Sequence, residues 1–348
     1  MCHRPKQTAH AERGFGLGRS GFTETLLMQL QQQHRRRRYL RPALIVLATL
    51  VVAGALLFYF RPLLVVAEVQ RAAEWKLGLA EHNVQLGRYR IRYLAGGAGK
   101  PLVLVHGLAG RAEDWLALVP ALQSAGYRIY ALDLLGYGRS DKPDVDYSIA
   151  LESEILRRFI DSQHLQQPDL AGWSMGGWIV AKFAADNPGR VHRLILLDSA
   201  GMKFDAVNAA ALRPKTEADV AHMMRVLTPH PMRVPSFYAR DFLRHFAEED
   251  WIVSRALSSM YTGKDLLDGK LGVVKVPVLL VWGKEDVLTP PSIGEQMRQE
   301  MPQAVLYLVD GCGHLAPVEC SKPVGVEMVK FLTANPPLEP GKQTIAAR

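Results

Sequence analysis

The chain has 348 residues, 48% of them hydrophobic, 22% charged and 8% aromatic, which excludes a disordered, collagen-like or polytopic membrane protein and leaves enough length to bury a sizeable core. Three cysteines exclude a disulfide-built scaffold. The formal net charge of +8 is concentrated at one end: residues 1–42 carry nine Lys/Arg against Glu12 and Glu24, the remainder is nearly neutral, and no nucleic-acid partner is expected.

Residues 1–42 read as a basic tail. Residues 43–60 (ALIVLATLVVAGALLFYF) hold no charge. As a helix they span about 27 Å, close to the hydrocarbon thickness of a bilayer. Residues 63–67 extend the stretch past Arg61 and Pro62, so a transmembrane anchor is expected at 43–67. Arg35, Arg36, Arg37, Arg38 and Arg41 lie just upstream, and such charge stays cytoplasmic. The expected topology is therefore single-pass, with the N-terminus cytoplasmic and residues 68–348 outside the cytoplasm (periplasmic in a Gram-negative source). The run exceeds the apolar region of a cleaved signal, about 7–15 residues, and Val65-Val66-Ala67 is a weak cleavage site. Met1 and Met28 are both candidate starts.

From residue 88 strand-like and helix-like segments alternate. Residues 88–94 (RYRIRYL) suit an edge strand, and 101–105, 127–132, 191–197, 276–281 and 304–309 read as strands. Helical spacing covers 149–160, 175–187, 292–301 and 324–332. Such alternation predicts an α/β fold, a mostly parallel sheet with helices on both faces. The region about 199–273 contains no strand pattern. It reads as a helical insertion rich in Met and aromatic residues, suited in part to an apolar pocket.

Gly172-Trp173-Ser174-Met175-Gly176 is a G-x-S-x-G pattern between a short apolar strand and a helix. A sharp strand-to-helix turn would expose the Ser174 oxygen, and the flanking glycines allow close backbone approach. A serine nucleophile needs a base, and the base needs an orienting acid. His314, in a glycine-lined loop after residues 304–309, is the candidate base. Asp286, just after residues 276–281, is the favoured acid, with Glu285 and Asp198 as alternatives. Both loops follow strand C-termini, where open α/β sheets place their sites. The backbone amides of Met175 and Leu108 are candidate oxyanion donors. His106 reads as structural, as do His164, His192, His222, His230 and His245. Cys312 and Cys320 are expected as two unpaired thiols. No dinucleotide fingerprint, phosphate loop or metal-ligand cluster is present, so no cofactor or metal is expected.

Five blocks in order carry a family resemblance: His106-Gly107; Asp133-Leu134-Leu135-Gly136-Tyr137-Gly138-Arg139-Ser140; Gly172-Trp173-Ser174-Met175-Gly176-Gly177; Gly283-Lys284-Glu285-Asp286; and Gly313-His314. Across residues 88–334 the chain resembles the α/β-hydrolase superfamily, and with its anchor it is most similar to membrane-anchored monoacylglycerol-lipase-type esterases. The resemblance implies a cap at the insertion and a serine carboxylic-ester hydrolase acting on small-molecule or lipid esters. It leaves open a carbon–carbon bond hydrolase, a perhydrolase or an acyltransferase with the same triad. Epoxide hydrolases and haloalkane dehalogenases carry an Asp nucleophile where this chain has Ser174.

Overall fold

The computed structural model describes residues 19–346 and divides the chain into two units, one ending at Tyr59 and the other starting at Phe60. The expected tail before residue 19 lies outside the described residues. In the first unit a single helix, α1 (Arg19–Phe60), takes in both the basic block and the apolar run. It is the one helix among the described residues long and apolar enough to cross a membrane.

The second unit opens with helix α2 (Pro62–Lys76), then the hairpin of β1 (Leu79–Leu86) and β2 (Tyr89–Gly96). There follow β3 (Lys100–Val105), α3 (Val119–Ser124), β4 (Tyr127–Leu132), α4 (Ile149–Ser162), β5 (Asp169–Trp173), α5 (Met175–Asp186) and β6 (Leu194–Leu197). The region after β6 contributes α6 (Glu217–Leu227) and α7 (Ser236–Tyr261). The chain then returns through β7 (Val278–Gly283), α8 (Pro291–Glu300), β8 (Val305–Val309), α9 (Ala316–Glu319), α10 (Ser321–Thr333) and β9 (Gly341–Ile345). The sheet order is β1-β2-β4-β3-β5-β6-β7-β8-β9. Pairing is antiparallel from β1 to β4 and parallel everywhere else.

Side-chain alternation puts a core on each face of this sheet. In β7, Val278, Leu280 and Trp282 pack on one side with Phe159, Ile179, Phe183 and Met297 from α4, α5 and α8. Leu279 and Val281 face the other side, against Leu122 of α3 and Met328 and Phe331 of α10. Met202, Phe204 and Met260 from the inserted region join the first core, whereas Met232 and Tyr261 point outward.

The structure corrects the edge position of residues 88–94. The strand β1 pairs beyond them through a two-residue turn at Gly87 and Arg88, where Gly87 has φ +66. β2 is therefore interior, and Ile91, Arg92 and Leu94 are fully buried. The real edges, β1 and β9, carry mostly exposed polar side chains and so show no apolar period.

One core carboxyl makes stability pH-dependent. Glu152 is buried in the first turn of α4, where Oε2 accepts the Leu135 N–H at 3.3 Å and Oε1 has no partner. Burial pushes its pKa up to about 8. A carboxyl raised in the fold is stabilising below its unfolded value, and that contribution is lost as pH rises toward 8. From pH 6 to pH 7 the wild type should therefore lose about 1 kcal/mol of stability relative to Glu152→Gln. Urea unfolding at the two pH values measures this, and an unchanged difference would refute it.

Candidate active site

β5 ends at Trp173 and α5 begins at Met175, so the reversal between them falls on one residue. Ser174 takes it with φ 57 and ψ −121, a strained conformation for a residue with a Cβ. The turn is held by the Ser174 N–H donating to the Leu197 carbonyl at 2.9 Å and by the Ala200 N–H donating to the Ser174 carbonyl at 3.1 Å. Its flanks admit no side chain: a Cβ on Gly172 would lie 2.3 Å from the Gly176 carbonyl oxygen, and one on Gly176 would lie 2.1 Å from that of Val105.

Ser174 Oγ lies 2.9 Å from His314 Nε2, and His314 Nδ1 lies 2.8 Å from Asp286 Oδ2. His314 is only 3% exposed. Asp286 Oδ1 accepts the N–H groups of Leu288 at 2.8 Å and Thr289 at 3.0 Å, which turns Oδ2 toward the imidazole. The two other acids face elsewhere. Glu285 Oε2 accepts the Cys312 N–H at 3.0 Å and so secures the loop that carries the histidine. Asp198 Oδ1 accepts the Gly283 N–H at 2.7 Å while Oδ2 has no partner. Burial and the adjacent Asp286 charge raise Asp198 well above the usual carboxylate range.

The His314 loop is braced from several sides. Trp173 Nε1 donates to the His314 carbonyl at 2.9 Å, Gly313 N–H donates to Glu319 Oε1 at 2.7 Å, and Leu315 N–H donates to the Leu227 carbonyl at 3.2 Å. Glu319 also accepts the Thr228 hydroxyl, joining this loop to the end of α6. The expectation of two unpaired thiols is corrected. Cys312 and Cys320 form a disulfide across the His314 loop, Cα–Cα 6.4 Å, because the single turn of α9 folds the intervening residues back.

The loop after β3 lies against Ser174. A Cβ on Gly107, the residue before Leu108, would sit 3.0 Å from Ser174 Cβ. Met175 is the first residue of α5, and its N–H has no partner within the helix. His106 is fully buried, with Nδ1 2.7 Å from the Gly107 carbonyl and Nε2 accepting the Leu134 N–H at 3.0 Å. The ring thus links the loop after β3 to the loop after β4. The arrangement can relay a proton from Ser174 to His314, and the Leu108 and Met175 amides stay the candidate oxyanion donors. The sequence reading missed Thr289, whose spacing of three from an Asp in a turn is the signal for such a backbone clasp.

A model of the alpha/beta hydrolase family matches residues 102–327. Lipase 1 of Psychrobacter immobilis is 28% identical over 64% of this chain and 73% of its own length. The 2-hydroxy-6-oxo-6-(2'-aminophenyl)hexa-2,4-dienoic acid hydrolase of Metapseudomonas resinovorans is 27% identical over 73% of this chain and 91% of its own. Among solved structures, a bacterial membrane phospholipase A superposes with a TM-score of 0.73 at 27% identity, covering 84% of this chain and 98% of that one.

Proposed function

The chain belongs to the alpha/beta hydrolase family and is a serine hydrolase, and from that premise we propose that it cleaves hydrophobic, lipid-like carboxylic esters beside a membrane. The observation that carries this reading is the unbroken chain of contacts from Ser174 Oγ through His314 to Asp286, at 2.9 and 2.8 Å. Ser174 Oγ attacks the ester carbonyl while His314 Nε2 takes its proton. Asp286 holds the ring so that Nε2 faces the serine, and its charge offsets that of the imidazolium. The Met175 and Leu108 amides take the oxyanion. His314 returns the proton to the leaving alcohol, and water then attacks the acyl-enzyme with His314 as base.

The lipid preference has separate support. One described helix suits a membrane span, and a lipase and a membrane phospholipase stand among the similar proteins. The basic block ahead of the span favours a cytoplasmic N-terminus, which leaves the catalytic unit on the opposite side.

The test is hydrolysis of p-nitrophenyl esters from acetate to long acyl chains by the full chain in detergent micelles, with Ser174→Ala as control. Ser174-dependent turnover that peaks at medium or long chains is expected. A peak at acetate would reject the lipid reading. Ser174-dependent cleavage of a vinylogous diketone with no ester turnover would favour a carbon–carbon bond hydrolase, the reading to which the Metapseudomonas relative points.

A further inference from the structure

Thr289 lies in the turn between β7 and α8 and is 4% exposed. Its hydroxyl oxygen is 2.7 Å from Asp286 Oδ2, 2.9 Å from the Asp198 carbonyl oxygen and 3.0 Å from His314 Nδ1. Its backbone N–H donates to Asp286 Oδ1 at 3.0 Å. One residue therefore touches both oxygens of the acid and the nitrogen that the acid orients.

The protons can be assigned by elimination. To accept from Ser174, His314 Nε2 must be bare, so the ring proton is on Nδ1 and is donated to Asp286 Oδ2. The Thr289 hydroxyl has one proton and two acceptors within reach, Asp286 Oδ2 and the Asp198 carbonyl. Asp198 has φ +42, and this left-handed turn at the end of β6 brings its carbonyl to the hydroxyl. The shorter of the two contacts is to the carboxylate. Donation there places a second hydrogen bond on the oxygen that faces the imidazole.

We infer that Thr289 is a positioning residue for the triad, gripping both Asp286 oxygens so that Oδ2 stays in line with His314 Nδ1. This inference rests on the triad reading above. Two consequences follow from the chemistry. Without the hydroxyl, only the imidazole itself and the backbone N–H groups on Oδ1 restrain the carboxylate, so its alignment loosens. Without that donor, Oδ2 also keeps more of its charge for the imidazolium and holds the protonated ring more tightly. Turnover then falls, and the acidic limb of the pH profile moves to higher pH.

The experiment compares wild type, Thr289→Val, Thr289→Ser and Ser174→Ala as full chains in micelles, over pH, with one p-nitrophenyl ester. Thermal unfolding of each variant establishes that it is folded. Thr289→Val is near in shape and keeps the backbone N–H. It should lower kcat about tenfold with KM unchanged, and raise the acidic limb of kcat/KM by about half a pH unit. Thr289→Ser should restore both. A valine variant indistinguishable from wild type overturns the inference. So does a fall in kcat with an unmoved limb, or a serine variant no better than valine, since either marks simple packing. Wild-type turnover independent of Ser174 overturns the triad reading, and this inference with it.

Discussion

Alanine at position 174 is expected to lower kcat/KM by about 10⁴-fold or more, and alanine at position 314 by a similar factor. The double variant should lose no more than either single one. This follows from the shared proton. Ser174 Oγ is 2.9 Å from His314 Nε2, and neither group does its part alone: the hydroxyl is not nucleophilic without a base, and without the hydroxyl no acyl-enzyme forms for the base to hydrolyse. Once either is removed, the remaining rate comes from binding and from the Met175 and Leu108 amides, which both variants keep. Steady-state kinetics on the three variants and wild type decides the matter. Losses that multiply in the double variant would show independent roles and would reject the assigned mechanism. Asp286→Asn should cost less than either alanine, because the acid touches the imidazole and not the ester.

What could be read from the sequence differs by the range of the interaction. The elbow at Ser174 was legible because its requirements are local: a reversal on one residue, with no room for Cβ at Gly172 or Gly176. His314 and Asp286 were legible because each follows a strand end, and the parallel sheet brings those ends together. The sequence favoured Asp286 over Asp198 and Glu285, but did not show the backbone N–H groups that claim each carboxylate and turn it toward or away from the imidazole. The disulfide was equally hidden, because eight residues of separation say nothing of the helical turn between the cysteines. Arg92 misled in another way. In RYRIRYL it alternates as a solvent-facing residue would, yet β1 covers that edge and the side chain is wholly buried among acids from other elements.

That burial sets up the second large effect: Arg92→Met should destabilise the fold by about 3–5 kcal/mol. The guanidinium contacts Glu113 Oε1 at 2.8 Å, Glu81 Oε2 at 3.1 Å and Asp133 Oδ2 at 3.3 Å. Glu113 and Asp133 are themselves buried, so removing the cation strands two carboxylates away from water. Methionine fills much of the volume and isolates the charge effect from a cavity. Burial alone would raise Glu113, yet the charge and hydrogen bond of Arg92 hold it below the usual carboxylate range. A lowered carboxylate stabilises above its unfolded pKa, and that contribution is lost as pH falls. The gap between wild type and Arg92→Met should accordingly narrow below about pH 4. Adding Glu113→Gln and Asp133→Asn to the methionine variant should recover much of the loss, because the stranded charges are then gone. Activity should suffer as well, since Asp133 Oδ1 accepts the Ala112 N–H at 2.8 Å and Leu134 N–H holds His106, which shapes the loop bearing Leu108. Urea unfolding at pH 7 and at pH 4 measures the stability terms. A methionine variant as stable as wild type at pH 7 would mean that the cluster does not join β2 to the loop bearing Leu108 through charge.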